Sequence, residues 1–460
     1  MSADREGHID VGDRWRDVMR RCPPVLALAL LAVPSLIPGV AQANGRFPNA
    51  QEFHQGPGAN RDLMVVRFTF GLAVSVDRGQ RWEYWCEDAL QYGDGYDPPL
   101  SYAADGTLLV ALQDGLVSTR NGCTFRRQPD LEALAVRDLA ASPDGRVTWA
   151  IALTPSTTPE SRVARSTDNG LTFEFIGDRF ANTVLETIEV APSDPQRLYA
   201  SGTIDGAPVL LRSDDGGRRW GRTAARFDGA SGVYVSGVDP RDPDVLYLRA
   251  TATAAPAEMD AGAAGGSGVL FRSDDGGETL RVLLRTGGPM RGFALSDDGR
   301  SVWGGGPEDG VWRSVDGAAP TRFSAEPVDC LRWSDGSLWA CRTFVPGGAL
   351  VLRSDGEAPF VTALSSAEVG GPPTRCPART LLRDVCPGRW SVVRRTLVPS
   401  TLLDASTDRG GVIAPAPPAT CGCRAGSPAG SPGVGLVALA LAALGRSRRG
   451  LRRLRRAVKS

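Results

Sequence analysis

Lysine is almost missing from this chain of 460 residues: the only one is Lys459, so basic charge rests on arginine, a bias expected of a GC-rich genome. Histidine is nearly as scarce. Of the two, His8 lies ahead of an export signal described below, leaving His54 alone in the exported body, which excludes His-based catalytic triads and His-ligand metal sites. His54 reads as an exposed residue near the mature N-terminus. No paired CxxC motif is present, which removes the usual zinc frameworks, so neither a metal nor a cofactor is expected. The apolar stretch near the C-terminus, Val434 to Leu444, is well under the ~20 residues that span a bilayer comfortably as a helix. Gly and Pro, by contrast, are plentiful at 55 and 34, as turn-rich all-β chains require.

The net charge of zero hides an asymmetry. Residues 1–43 carry five Arg and five acids, and residues 424–460 carry nine Arg and Lys with no acid. Removing both ends from 52 basic and 52 acidic groups leaves 38 against 47 for residues 44–423, a body of about −9. That sign repels phosphate backbones, so nucleic acid is not an expected partner.

Both ends read as addresses. Cys22 to Val40 is an apolar, proline-broken run followed by Ala41-Gln42-Ala43, small at the positions signal peptidase inspects, so residues 1–43 are expected to be a signal peptide cut after Ala43. The charged stretch ahead of it is long and acidic for such a signal, and Met19 makes a better start. At the other end, Cys421-Gly422-Cys423 is followed by a Gly/Pro/Ser spacer, a short apolar helix from Val434 to Leu444, and an arginine block that would stay inside a membrane. Residues 414–460 resemble the C-terminal sorting tails of myxobacterial surface proteins. The resemblance implies recognition by a sorting protease, cleavage near the cysteines, lipid on Cys421 or Cys423, and attachment at the outer membrane or cell surface.

Self-similarity organises the middle. Ser-x-Asp-x-Gly-x-x-aromatic occurs in full as Ser75, Asp77, Gly79, Trp82, then Ser166, Asp168, Gly170, Phe173, then Ser213, Asp215, Gly217, Trp220. Degenerate copies begin at Ser118 (with Arg120 in the Asp place), at Ser273 (with Asp275 and Gly277), at Ser314 and at Ser354. The serines are 43, 48, 47, 60, 41 and 40 residues apart, close to the ~40–50 residues of a four-stranded propeller blade. Four short β-rich runs recur around each box. The chain is therefore expected to be all-β, a seven-bladed β-propeller of four-stranded antiparallel blades over residues 44–366, followed by a segment over 367–413.

These octapeptides resemble the Asp boxes, or BNR repeats, of sialidases, sortilin-type receptors, some glycoside hydrolases and photosystem assembly factors. The motif is structural: Gly supplies a backbone angle closed to other residues, Ser and Asp bind nearby amides, and the aromatic packs into the blade. A sialidase also needs an arginine triad, an acid and a Tyr/Glu pair. Here only Arg46-Phe47-Pro48 compares with the usual first arginine motif, and no catalytic residue is assigned.

In a meander the boxes and the tight first-to-second turns share one face. The longer loops, Ala89–Leu100, Thr154–Glu160, Ile204–Ala207, Thr251–Gly268, Gly304–Asp309 and Thr343–Gly348, occupy the other, where ligand-binding residues concentrate. Tyr92, Asp94, Tyr96 and Asp97, with Glu308 and Asp309, are the candidates there; aromatic and acidic groups together suit a carbohydrate or a basic peptide. Among the cysteines, Cys330 and Cys341 face each other across an Asp335-Gly336 hairpin turn and should bond. Cys376 with Cys386, and Cys86 with Cys123, are the remaining expected pairs. The functional expectation is an exported, surface-anchored, non-enzymatic binding or scaffold propeller for a glycan, a peptide or an envelope protein. The alternatives are a sialidase-like or other glycoside hydrolase, and an assembly factor.

Overall fold

In a computed structural model, which describes residues 49–93, 96–252 and 266–398, the repeats form seven four-stranded antiparallel sheets, each a sequential meander, arranged as the blades of a propeller. The innermost strands are Ala50–Gln55, Leu100–Tyr102, Ala135–Ala141, Thr183–Ala191, Ala230–Val238, Gly292–Leu295 and Cys330–Ser334. The signal peptide, Asp94, most of the Thr251–Gly268 insert, and the tail with Cys421 and Cys423 lie outside the described residues. Among those described, no helix is long and apolar enough to cross a membrane.

The three full boxes, and the degenerate one at Ser273, work as local clamps. Ser75, Ser166, Ser213 and Ser273 each accept, through Oγ, the amide of the glycine four residues on, at 2.8–2.9 Å. Asp77, Asp168, Asp215 and Asp275 accept the amide four residues beyond themselves. In the second blade the expected alignment is off by one. Thr119 and Asn121, not Ser118 and Arg120, make the clamp, because Asn121 can accept the amides of Cys123 and Thr124 and an arginine cannot. Trp82 and Phe173 are 4% and 6% exposed, whereas Trp220 stays half-buried, edge-on to Phe180.

The boxes also seat each blade on the one before it. A Cβ added at Gly170 would fall 2.4 Å from Leu109 Cδ2 of the preceding blade, and one at Gly277 2.5 Å from Leu210 Cδ2. Gly336 in the blade 7 hairpin also has positive φ, +67° against +77° at Gly170, but nothing lies within 4 Å of its added Cβ. Gly170→Ala is therefore expected to cost about 3 kcal/mol and Gly336→Ala only about 1 kcal/mol, since both strain the backbone but one alone overpacks. Equal losses in denaturant melts would refute blade seating by the box glycine.

A second repeat escapes a motif search. The residue before the box serine is Arg in blades 3 to 7, and it pairs across the sheet with an aromatic: Trp149 with Arg165, Tyr199 with Arg212, Tyr247 with Arg272, Trp303 with Arg313, Trp339 with Arg353. In the last three pairs the guanidinium lies 5.3–5.7 Å from the ring centroid, a distance at which it is attracted to the ring face.

The first and last blades meet directly. Phe53 stacks on Trp339 with centroids 4.4 Å apart, and Ser334 Oγ donates to Gln55 Oε1 at 2.8 Å. The segment after blade 7 then returns to this seam. Val369–Gly370 adds a parallel strand to the outer strand Trp82–Cys86 of blade 1. The helix Cys386–Leu397 follows, with Trp390 against Tyr84, Arg389 paired to Asp88, and the Leu397 carbonyl accepting from Ser366 Oγ of blade 7.

The disulfides make this return covalent and correct two expected pairings. Cys86 is bonded to Cys386 and Cys123 to Cys376, not Cys86 to Cys123 or Cys376 to Cys386. Pairing within the segment would close a loop on itself. Instead its two cysteines face different blades, the first two of the ring, and both sulfurs of each pair are buried in the largest core cluster. Cys330 is bonded to Cys341, and the two are directly opposite in the register set by Asp335 and Gly336, both with positive φ.

Candidate functional site

The innermost strands enclose a central channel of about 1060 Å³. Alternation along a strand turns every second side chain toward the sheet face that packs or the face that lines a cavity, so charges in the middle of inner strands are the informative ones. Six stand out in or beside the channel: Glu52, Asp138, Glu189, Arg249, Arg291 and Arg332, joined by His54 and Tyr234.

Glu52 lies opposite Arg67 in the first blade and is ion-paired to it, while its other oxygen meets His54 Nε2. Burial alone would raise the Glu52 carboxyl, but the Arg67 charge and the His54 contact overcome it and hold it at about 2. Burial pushes the His54 imidazole down despite Glu52, so at neutral pH the ring is neutral and Arg67 carries the counter-charge. His54 is thus not the exposed residue expected from sequence: its side chain is 12% exposed.

Glu189 has the opposite character. It is open to channel water yet surrounded by protein, and burial raises its carboxyl to about 7 against the lowering influence of Arg332 and Arg249. Burial, with the nearby Glu189 charge, also raises Asp138 well above the carboxylate range, although Asp138 accepts the Ile188 amide at 2.9 Å. Arg249 is pinned to Ser236 Oγ at 2.9 Å and to the Arg291 carbonyl. Arg291 is paired with buried Asp329 at 2.5 Å, and Thr343 holds the other Asp329 oxygen. Arg332 differs from both. It is exposed to the channel, and among the described residues it makes no ion pair or side-chain hydrogen bond.

Glu189 gives a signed pH test. Its folded value lies above the ordinary 4.5, so the folded protein takes up a proton that the unfolded chain has released. Stability falls as pH rises from about 4.5 to about 7. Glu189→Gln is expected to remove that loss and to stabilise the protein by about 1–2 kcal/mol at pH 8 while leaving it unchanged at pH 4. Melting both proteins across this range checks it; parallel curves would contradict a raised Glu189.

The sequence-picked loop residues do not converge with this cluster. The Tyr92 hydroxyl is buried without a hydrogen-bond partner among the described residues, Tyr96 donates to the Val136 carbonyl at 3.3 Å, and the Asp97 and Pro98 carbonyls accept from Arg67. The loop from blade 1 to blade 2 thus braces Arg67, and through it Glu52. Asp309 is spent on the Gly287 and Gly288 amides, at 2.9 and 3.0 Å, and Glu308 is exposed beside them. The channel residues belong to no motif and lie outside the long loops, yet the inner strands carry a signal for them. The strings QEFHQ, VRDLAA, ETIEVA and CLRWS each place a charge in mid-strand, which an all-buried strand would not tolerate.

No protein-family model matches the chain, and no curated protein matches it in sequence. Several solved structures resemble it distantly. The GH74 xyloglucanase from Xanthomonas campestris is 17% identical with TM-score 0.32, over 68% of this chain and 64% of that one, so the chain spans less than two thirds of its length. The hydrazine synthase of Kuenenia stuttgartiensis is 12% identical with TM-score 0.47, over 65% and 94%. YCF48 from Cyanidioschyzon merolae is 14% identical with TM-score 0.37, over 57% and 83%. Likenesses this distant carry no argument about function; the order of strands in its own sheets makes the chain an all-β, seven-bladed β-propeller with four-stranded blades.

Proposed function

We propose that this propeller is an exported binding protein whose central channel takes an anionic group of a glycan, a peptide or an envelope protein. The carrying observation is Arg332, a guanidinium facing the channel with no ion pair or side-chain hydrogen bond among the described residues. With Glu52 neutralised by Arg67, Arg291 by Asp329, and Glu189 held near half-protonation, Arg332 and Arg249 leave the channel positive inside an acidic body. A bidentate carboxylate contact to Arg332 is the geometry that arginine favours. The signal peptide and the Cys421/Cys423 tail support attachment at the cell surface through lipid. Mass spectrometry of the native C-terminal peptide tests that attachment, and an unmodified tail ending at Ser460 would contradict it.

A second reading, a glycoside hydrolase, is favoured by one observation: Glu52 is held ionised and Glu189 protonatable in the same channel, the split in acidity that a base and an acid require. Screening the protein on a glycan array beside a panel of chromogenic glycosides distinguishes the two. Retention of an acidic glycan without turnover supports binding; turnover abolished by Glu189→Gln supports hydrolysis.

A further inference from the structure

The box of blade 7 is shortened. Where blade 4 has Ser213-Asp214-Asp215-Gly216-Gly217, blade 7 has Ser354-Asp355-Gly356, and Asp355 accepts the amides only two and three residues on. The missing length has a consequence in blade 6. In blade 3, Trp149 donates its Nε1 hydrogen to the Gly216 carbonyl in the box of the next blade, at 3.1 Å. Trp303 holds the corresponding place in blade 6, opposite the arginine that precedes its box serine. Under the shortened box it finds no carbonyl: Trp303 is 1% exposed and its Nε1 has no hydrogen-bond partner among the described residues. A Cβ at Gly356 would lie 3.0 Å from Trp303 Cζ2, two bonds from that nitrogen, so the donor edge faces the shortened turn.

A crevice of about 550 Å³ opens there on the box face, between blades 6 and 7. Trp333 stacks on Trp303 with centroids 5.1 Å apart and is itself half-buried, held through its Nε1 by Asp297 at 3.0 Å. Asp297 and Asp355 each keep one carboxylate oxygen without a hydrogen bond among the described residues. The arginines present are engaged: Arg313 grips Glu357 with two bonds and Arg300 grips Asp316. Ser296, Asp297 and Trp333 also line the central channel, so these residues form a wall between crevice and channel.

The ligand must therefore accept one hydrogen bond from an indole, donate to carboxylates, and cover part of an aromatic ring. We infer that this crevice is a second binding site, separate from the channel, for a neutral sugar residue whose hydroxyl accepts from Trp303 Nε1 and donates to Asp355 or Asp297. A hydroxyl does both at one atom, and the carbon-bound face of a sugar ring suits Trp333. A lysine or arginine side chain would satisfy the carboxylates but would leave the Trp303 donor unpaired, which is costly when buried.

Fluorine NMR of the protein labelled with 5-fluorotryptophan tests this, with the Trp303 and Trp333 signals assigned from Trp303→Phe and Trp333→Phe. Titration with millimolar methyl glycosides of the common hexoses and N-acetylhexosamines should shift both signals for at least one sugar. Asp355→Asn, which keeps the acceptor of the turn, should weaken that response about tenfold, the worth of one hydrogen bond to a charged group. Arg332→Ala should leave the response intact, which separates this site from the channel reading. No shift with any glycoside, or a shift produced by arginine amide instead, would overturn the proposal, as would an unchanged affinity in Asp355→Asn.

Discussion

Replacing Cys86 and Cys386 together by serine is expected to destabilise the propeller by about 5 kcal/mol, roughly 10 °C in Tm, on the chain-entropy account of a link that closes a very long loop. The bond spans 300 residues, from the outer strand of blade 1 to the helix that follows blade 7. It holds that helix across the seam where the first and last blades meet, each built from its own four consecutive strands. Replacing Cys123 and Cys376 as well should cost at least as much again, because with the outer link gone this bond, spanning 253 residues, is what still closes the long loop. The Cys330–Cys341 link spans only 11 residues within one hairpin, and its loss should be the mildest of the three. Denaturant melts of the three paired variants give the ranking. Non-reducing peptide maps that recover Cys86 with Cys123 would remove the clasp altogether.

Arg67→Ala should cost about 3 kcal/mol, because it strands the Glu52 carboxylate in the channel wall beside a neutral imidazole. The same change frees the Pro98 carbonyl and loosens the loop from blade 1 to blade 2. Adding Glu52→Gln to Arg67→Ala should recover most of the loss, since no buried charge then remains. In the parent protein the depressed Glu52 contributes stability that is complete above the ordinary carboxylate value and is lost as pH falls toward about 2; in Arg67→Ala that acid transition should move upward. A double variant no more stable than the single one would show that Arg67 acts by packing and not by charge.

The ring was legible because its information is local. A serine, an aspartate and a glycine four residues apart form a closed set of hydrogen bonds within one turn, and repetition at blade length leaves few architectures open. The Cys330 register was legible for the same reason, since a two-residue turn fixes the pairing on both sides. The other two disulfides were not, because they join segments 300 and 253 residues apart and depend on where the chain goes after the ring is complete. The channel shows the same limit: Glu52, Glu189 and Arg332 come from blades 1, 4 and 7, and no spacing in the sequence connects them. Loop composition pointed instead to Tyr92 and Asp97, whose shared loop supports the channel wall through Arg67.

Calorimetric titration of the tightest anionic array ligand into the parent protein and Arg332→Ala, at about pH 6 and about pH 8, tests channel binding most directly. Ionising Glu189 across that interval adds a negative charge near Arg332 and should weaken the parent's binding at the higher pH. The expected result is a parent affinity that falls as pH rises, a further loss of tenfold or more in Arg332→Ala, and a pH dependence that disappears in Glu189→Gln. Equal affinity in the parent and Arg332→Ala at both pH values would contradict an anion site in the channel.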